Sequence, residues 1–509
     1  MRAFALCLLV CLLAGCTTLP SLESRPGSRA DMDTGGTGLG RAVSAEVATH
    51  QGKSGIYPLA DGRNAFAARV LLAQAAERTL DVQYYIWHKD MTGTLLFAAL
   101  RQAAERGVRV RLLLDDGNTA GLDPLLAALD AHPNIEVRLF NPFVTRSARV
   151  LAYLSDFSRA NRRMHNKSFT ADNQVTIVGG RNVGDEYFGA DDDVLFADLD
   201  VMAIGPVVTE VSNDFDRYWS SDSSYPVNGL LDTVAPIALD ALAASASDIE
   251  RSPRTLAYMR AVRASAFARD FLENRLAFDW SVTRMISDDP AKGLEREQPR
   301  TLVVHKLKKT MGEPVFELNV VSPYFVPTDD GTAAFVALAK SGVKVRVLTN
   351  SLETTDVAAV HAGYARHRKA LLEAGVTMYE LRRMTQASAR RRVLGLRGSS
   401  ASSLHSKTFA VDDARVFIGS FNFDPRSARL NTEMGFVIES PALARRIFDA
   451  FAQRMPLEAY EVRLSPQRQL YWLERRGTDV LRHDVEPGTS ARARAGVWLM
   501  SMLPIEWLL

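Results

Sequence analysis

Between residues 80 and 140 the chain alternates two kinds of apolar run. LDVQYYIW at 80–87, VRVRLLL at 108–114 and IEVRLF at 135–140 are short and rich in β-branched and aromatic residues, which predicts strands. GTLLFAALRQAAERG, between the first two, repeats its apolar positions at helical spacing, and a second helix is expected between the second and third strands. Strand and helix in alternation predict an α/β layered fold.

The same pattern returns in the second half. AALRQAAERGVRVRLLLDD is echoed by VALAKSGVKVRVLTN, with Gly342 answering Gly107, IEVRLF is echoed by VTMYEL at 376–381, and MHNKSFTADNQVTIVGGRN by LHSKTFAVDDARVFIGSFN. The offset is 235 residues at the glycines and 240 at the histidines, so a duplication is the economical reading. Between the copies, residues 232–300 are mostly helical in pattern and have no counterpart in the second copy, which suggests an insertion or a bridging element. Residues 456–509 end in GVWLMSMLPIEWLL, an apolar stretch with Trp498 and Trp507 behind Arg492 and Arg494. Such a tail suits a membrane interface or packing on the core.

The echoed segments carry matched polar residues. His165, Lys167, Asp172, Gly179, Gly180 and Asn182 in the first copy answer His405, Lys407, Asp412, Gly419, Ser420 and Asn422 in the second. One His-x-Lys pair has no meaning by itself, but two copies at identical spacing do. On a strand, residues two apart share a face, so His and Lys of each copy are expected to project together. A phosphodiester is anionic and repels nucleophiles. Lys167, Lys407, Asn182 and Asn422 are the cations and amide donors that would neutralise and hold it, with Gly180 and Ser420 beside the phosphate. Imidazole titrates near neutrality, so one neutral ring can attack phosphorus while the other, protonated, serves the leaving alkoxide.

Composition changes this picture little. With 47% hydrophobic and 24% charged residues the chain is globular, and a net charge of +2 demands no nucleic-acid partner. Cysteine usage changes it more. MRAFALCLLVCLLAGC reads as a secretory signal, and Leu13-Ala14-Gly15-Cys16 resembles a bacterial lipobox in which Cys16 is acylated. Cys7 and Cys11 lie within that signal, so cleavage leaves no other thiol, and no disulfide, thiolate metal site or cysteine nucleophile. The alternative is an ordinary cleaved signal or an uncleaved anchor. Residues 17–52, rich in Ser, Gly, Thr and Asp, have the composition of a flexible tether.

The paired motifs resemble the phospholipase D superfamily, whose signature HxK(x)4D(x)6GSxN occurs twice. The second copy matches throughout, and the first has Gly180 where the signature has serine. The resemblance implies two homologous α/β/α lobes, 53–231 and 301–455, packed with pseudo-twofold symmetry and with the active site at their interface. It also implies a covalent phosphohistidine intermediate, no metal and no other cofactor, and an N-terminal histidine as nucleophile. His165 is accordingly expected to attack, and His405 to act as general acid and then base. Asp172 and Asp412 are expected to organise the local fold.

A catalytic imidazole needs a carboxylate on its other nitrogen. Repetition nominates Asp198, seven residues before Gly205-Pro206, and Glu433, seven before Ser440-Pro441. The family's acidic residue in this strand has that role, so Asp198 is expected behind His165 and Glu433 behind His405, with Asp193 and Asp200 as competitors. His361, among Asn350, Asp356 and Tyr364, is expected either to line the site or to lie on a surface helix. Arg390, Arg391, Arg392 and Arg397 are expected in a loop that is merely solvated or attracts anionic headgroups.

The segments around both motifs, with TNSLETTDVAAVHAGY and LPIEWLL, look most like bacterial cardiolipin synthases of the C type. That resemblance implies phosphatidyl transfer from phosphatidylethanolamine or phosphatidylglycerol to phosphatidylglycerol. The lipobox departs from it and is what predicts a membrane-anchored, periplasm-facing lipoprotein, at the inner or the outer membrane. It calls for no nucleic acid and no oligomer. A phospholipid hydrolase and a metal-independent nuclease are the alternatives.

Overall fold

In a computed structural model, residues 19–23, 25–191, 196–232, 237–383 and 403–509 are described. The signal, Cys16, Asp193 and the arginines at 390–392 and 397 lie outside them. The first-lobe strands are Ser54–Leu59 (β1), Thr79–Tyr84 (β2), Arg109–Asp115 (β3), Ile135–Phe140 (β4), Ser168–Ala171 (β5), Val175–Gly179 (β6), Phe196–Ala197 (β7), Asp200–Ile204 (β8) and Ser224–Pro226 (β9). Asp279–Ser287 (β10) follows. The second lobe has Glu317–Val321 (β11), Lys344–Asn350 (β12), Thr377–Leu381 (β13), Ser403–Leu404 (β14), Lys407–Val411 (β15), Arg415–Gly419 (β16) and Met434–Glu439 (β17), then Ala459–Leu464 (β18), Leu470–Arg476 (β19) and Asp479–His483 (β20).

Pairing repeats from lobe to lobe. In the first, β4, β3 and β2 run parallel, and β5, β6, β8 and β1 follow antiparallel. In the second, β13, β12 and β11 run parallel, and β15, β16, β17 and β10 follow antiparallel. Parallel strands buried on both faces read as continuous apolar runs, and every residue of β2 is buried. Helices Gly62–Ala75 and Met91–Glu105 cover the outer face of the first sheet, and Thr328–Lys340 and Ala358–Glu373 that of the second. The inner faces share one core, with Val178, Val201 and Ala203 from one lobe against Ala410, Val416 and Ile418 from the other.

Three expectations are corrected. Residues 232–300 are no mere insertion: after helices Ile237–Arg251, Pro253–Arg263 and Ala266–Leu272 they supply β10, which takes in the second sheet the place of β1 in the first. β10 also pairs with β1 itself, so all eighteen strands other than β7 and β14 form one hydrogen-bonded system. The second lobe thus begins near residue 279, because a strand too polar to announce itself is held by backbone pairing. Residues 25–52, expected as tether, carry a helix at Gly38–Thr49, while Trp219 donates to Ser28 Oγ at 2.9 Å and Arg111 to the Ser28 carbonyl at 3.1 Å. Leu39, Val43 and Val47 of that helix pack on the first-lobe core, so apolar burial and hydrogen bonds together hold the segment. Residues 456–509 are no simple tail, since β18 to β20 extend the second sheet from the β13 edge.

Candidate active site

Each histidine stands just before a strand and is stitched to the opposite lobe. The His165 N–H donates to the Thr432 carbonyl and the Thr432 N–H to Arg163, both at 2.9 Å. The N–H groups of His405 and Ser406 both donate to the Ala197 carbonyl, where β14 pairs with β7. Asn350, at the end of β12, clamps this segment by exchanging hydrogen bonds with the Leu404 backbone, at 2.9 and 3.0 Å.

The crossing continues in the side chains, against the expected pairing. His165 Nδ1 meets Glu433 Oε2 at 2.9 Å, and His405 Nδ1 meets Asp198 Oδ2 at 2.6 Å. Each lobe lends its carboxylate to the other lobe's imidazole, because the residues before Asp198 and Glu433 are the ones paired across the interface. Asp200, a competitor for this role, is instead bound to Arg69 at 2.8 Å.

Gly180 and Ser420, expected beside the phosphate, seat these carboxylates. Ser420 Oγ donates to Glu433 Oε2 and accepts from the Met434 N–H at 3.0 Å. A Cβ on Gly180 would lie 2.2 Å from Asp198 Oδ1, so this position has no room for serine while Asp198 stays in place. Asn182 accepts from the Ile86 N–H at 3.2 Å and donates to Tyr187 Oη at 3.0 Å. The Asn422 N–H donates to Ser427 Oγ at 3.3 Å. Asp172 accepts the N–H groups of Glu77, Arg78 and Thr79, and Asp412 those of Val315, Phe316 and Glu317, so each caps the first strand of its lobe's parallel set.

The electrostatics are asymmetric. Burial and the ammonium groups of Lys167 and Lys407 hold His165 well below the usual imidazole range. Burial lifts Glu433 to about 7 against the pull of Lys167 and Ser420. Burial would also lift Asp198, but His405 and Lys407 outweigh it and hold that carboxylate at about 2. His405 is lowered by burial and by Lys407, whose Nζ lies 3.0 Å from its Nδ1, with Asp198 opposing. Burial brings Lys407 down to about 8 and Lys167 well below its ordinary value. An anion between the two lysines reverses this, since opposite charge favours their protonated forms.

Aromatic rings wall the pair. Tyr85 lies 4.9 Å from His165, while Tyr187 and Phe196 lie 5.1 and 5.2 Å from His405. Sequence reasoning missed Tyr85 and Tyr187, which had no echo at matching positions to single them out. It also missed Asp288, which accepts the Glu433 N–H at 2.9 Å and pairs with buried Lys292 at 2.9 Å. His361 is neither in the site nor on the surface: it is buried against Glu486 at 3.2 Å. Tyr364 donates to Glu380, and Asp356 accepts from Tyr324. Among the described residues no cluster of three or more His, Cys, Asp or Glu side chains is arranged to hold a metal ion.

A family model described as cardiolipin synthase, PLD-like domain, matches residues 70–219 and 307–455. Cardiolipin synthase C of Escherichia coli is 50% identical over 471 residues, 92% of this chain and 99% of that one. Cardiolipin synthase A of Pseudomonas entomophila is 26% identical over 435 residues, 83% of this chain and 73% of that one. In fold, the chain is similar to phosphatidylserine synthase of Haemophilus influenzae, with a TM-score of 0.56 at 14% identity, over 92% of this chain and 100% of that one. With two family domains in tandem and both motifs facing each other across their interface, the chain belongs to the phospholipase D-like family of cardiolipin synthases.

Proposed function

We propose that this protein makes cardiolipin, by moving a phosphatidyl group from phosphatidylethanolamine or phosphatidylglycerol to the glycerol hydroxyl of a second phosphatidylglycerol through a phosphohistidine on His165. The 50% identity to cardiolipin synthase C supports the reaction. The observation that carries the assignment of roles is the unequal pair of carboxylates. His165 faces Glu433, which is only partly ionised at neutral pH, and lies under the field of two lysines, so its ring is neutral. In the tautomer whose Nδ1–H donates to Glu433, the Nε2 lone pair is free to attack phosphorus. His405 faces Asp198, which stays ionised and offsets the charge of an imidazolium.

In the first step Nε2 of His165 forms the bond to phosphorus, the bond to the headgroup alkoxide breaks, and that alkoxide takes a proton from His405. In the second step His405 takes the proton of the acceptor hydroxyl, whose oxygen displaces His165 from phosphorus. Lys167, Lys407 and the amides of Asn182 and Asn422 hold the phosphoryl oxygens. His165 and His405 are only 8% and 9% exposed, so both rings are largely withdrawn from bulk water. All six groups come from one chain, so a single copy is complete. Acylation at Cys16 would keep this site at the periplasmic face of a membrane.

Labelled phosphatidylglycerol, incubated with and without phosphatidylethanolamine, tests the reaction. Labelled cardiolipin that disappears in His165→Ala is the expected product. Phosphatidic acid alone would make the protein a hydrolase.

A further inference from the structure

The last residues of the chain are built inside out. Their carboxylates point inward: Glu486 is bound by His361 and Arg368, and Glu506 by His367 at 2.6 Å and Arg366 at 3.6 Å. Their large apolar groups point outward. In and beyond the helix Ala491–Ser501, Val497 is buried, whereas Trp498, Leu499, Met502, Leu503 and Trp507 are 50–61% exposed. A terminal segment on a water-facing surface has the opposite arrangement.

A second apolar face lies on the other lobe. The helix Arg149–Ser155 exposes Val150, Leu151 and Leu154 by 67–75%. Arg426 links the two segments. Its N–H donates to the Leu509 carbonyl at 2.7 Å, and its guanidinium donates to Asn161 Oδ1 at 2.8 Å and to the Asn161 carbonyl at 2.7 Å. Tyr153, within the exposed first-lobe helix, donates to the same Asn161 Oδ1 at 2.9 Å. Arg426 lies four residues past Asn422 of the second motif and six before Thr432, whose carbonyl accepts the His165 N–H.

We propose that these two faces form one docking surface for a phospholipid bilayer, which seats the mouth of the active site at the depth of the headgroups. The proposal rests on the reading that the substrate is a membrane phospholipid. Tryptophans are favoured at the membrane–water interface, and apolar faces of this kind sink roughly 5–10 Å into it. The phosphodiester to be attacked lies at that depth. Exposed Arg492 and Arg429 beside the faces suit anionic headgroups. Single exposed apolar side chains mean nothing, but a run of them on each of two segments linked through Arg426 does. No helix among the described residues is long and apolar enough to cross a membrane, so these faces would rest on it.

The test uses the full-length protein in phosphatidylglycerol and phosphatidylethanolamine vesicles whose acyl chains are brominated at known depths. Shallow bromines should quench tryptophan fluorescence, and Trp498→Phe with Trp507→Phe should abolish that quenching. Leu503→Ser with Met502→Ser, and separately Leu151→Ser with Leu154→Ser, should lower turnover of vesicle lipid roughly tenfold or more. Turnover of dispersed short-chain phospholipid should stay within about twofold. Absence of quenching in vesicle-bound protein overturns the proposal, as does an equal loss on both substrates. Wild-type dimers that dissociate in the serine variants without lipid would assign the faces to a second copy instead. Quenching without turnover of any phospholipid would keep the docking surface and refute the proposed reaction.

Discussion

Asp198 and Glu433 occupy matching positions in the two copies, yet their surroundings separate them by several pH units. Ser420 gives Glu433 a hydroxyl, whereas Gly180 gives Asp198 space. Serine at position 180 would press against the Asp198 carboxylate and turn it from His405 Nδ1. Gly180→Ser should therefore lower kcat roughly a hundredfold, the scale of a mispositioned general acid, in the product assay. Ser420→Ala, which removes one hydrogen bond to Glu433, should cost about tenfold or less. A reversed order would refute the unequal seating. The histidines, lysines and motif aspartates were legible because repetition marked them at fixed spacing. The pairing was not: sequence aligns Asp198 with His165 by translation, whereas the lobes meet by rotation and exchange carboxylates.

The least legible element is β10. DWSVTRMIS mixes polar and apolar residues and has no echo in the first copy, so only its antiparallel pairing to β17 and β1 identifies it. Its C-terminal neighbour Asp288 then does several things at once. It accepts the N–H groups of Glu433 and Val303, pairs with Lys292, and donates its own N–H to the Glu433 carbonyl. Asp288→Ala would leave the Lys292 ammonium, 1% exposed, without its partner. Loss of one partner of a buried pair costs about 3–5 kcal/mol, and denaturant unfolding should show a loss of that size. Asp288→Asn keeps one acceptor oxygen and should lose less. The strands β2, β3 and β4 were legible by contrast, because parallel strands buried on both faces must be written in apolar residues.

Over the whole molecule the crossed lobes bury charge to build the site, and stability should record it. Glu433 and Glu458 are lifted to about 7, and Asp288 and Asp424 to about 6, so their contributions are complete below the unfolded values and are lost as pH rises through 6 to 7. Asp198 and Glu486, held at about 2, contribute above the unfolded values and lose that contribution as pH falls towards 2. As these raised carboxylates ionise they should lower the melting temperature from about pH 4 to about pH 7, against the lowered imidazoles of His165 and His405, which raise it up to about pH 6.5. In Glu433→Gln that fall should shrink, by the equivalent of about 1–3 kcal/mol. The α/β architecture of the lobes followed from strand and helix periodicity, whereas their joining through β1 and β10 depends on backbone pairing that no pattern encodes. The central claim, that His165 attacks while His405 moves the proton, is most directly tested in His405→Ala with a phosphatidyl nitrophenol donor, whose leaving group needs no proton. Mass spectrometry after alkaline quenching should find the phosphatidyl group stalled on His165; an adduct on another residue, or none despite release of nitrophenolate, would contradict it.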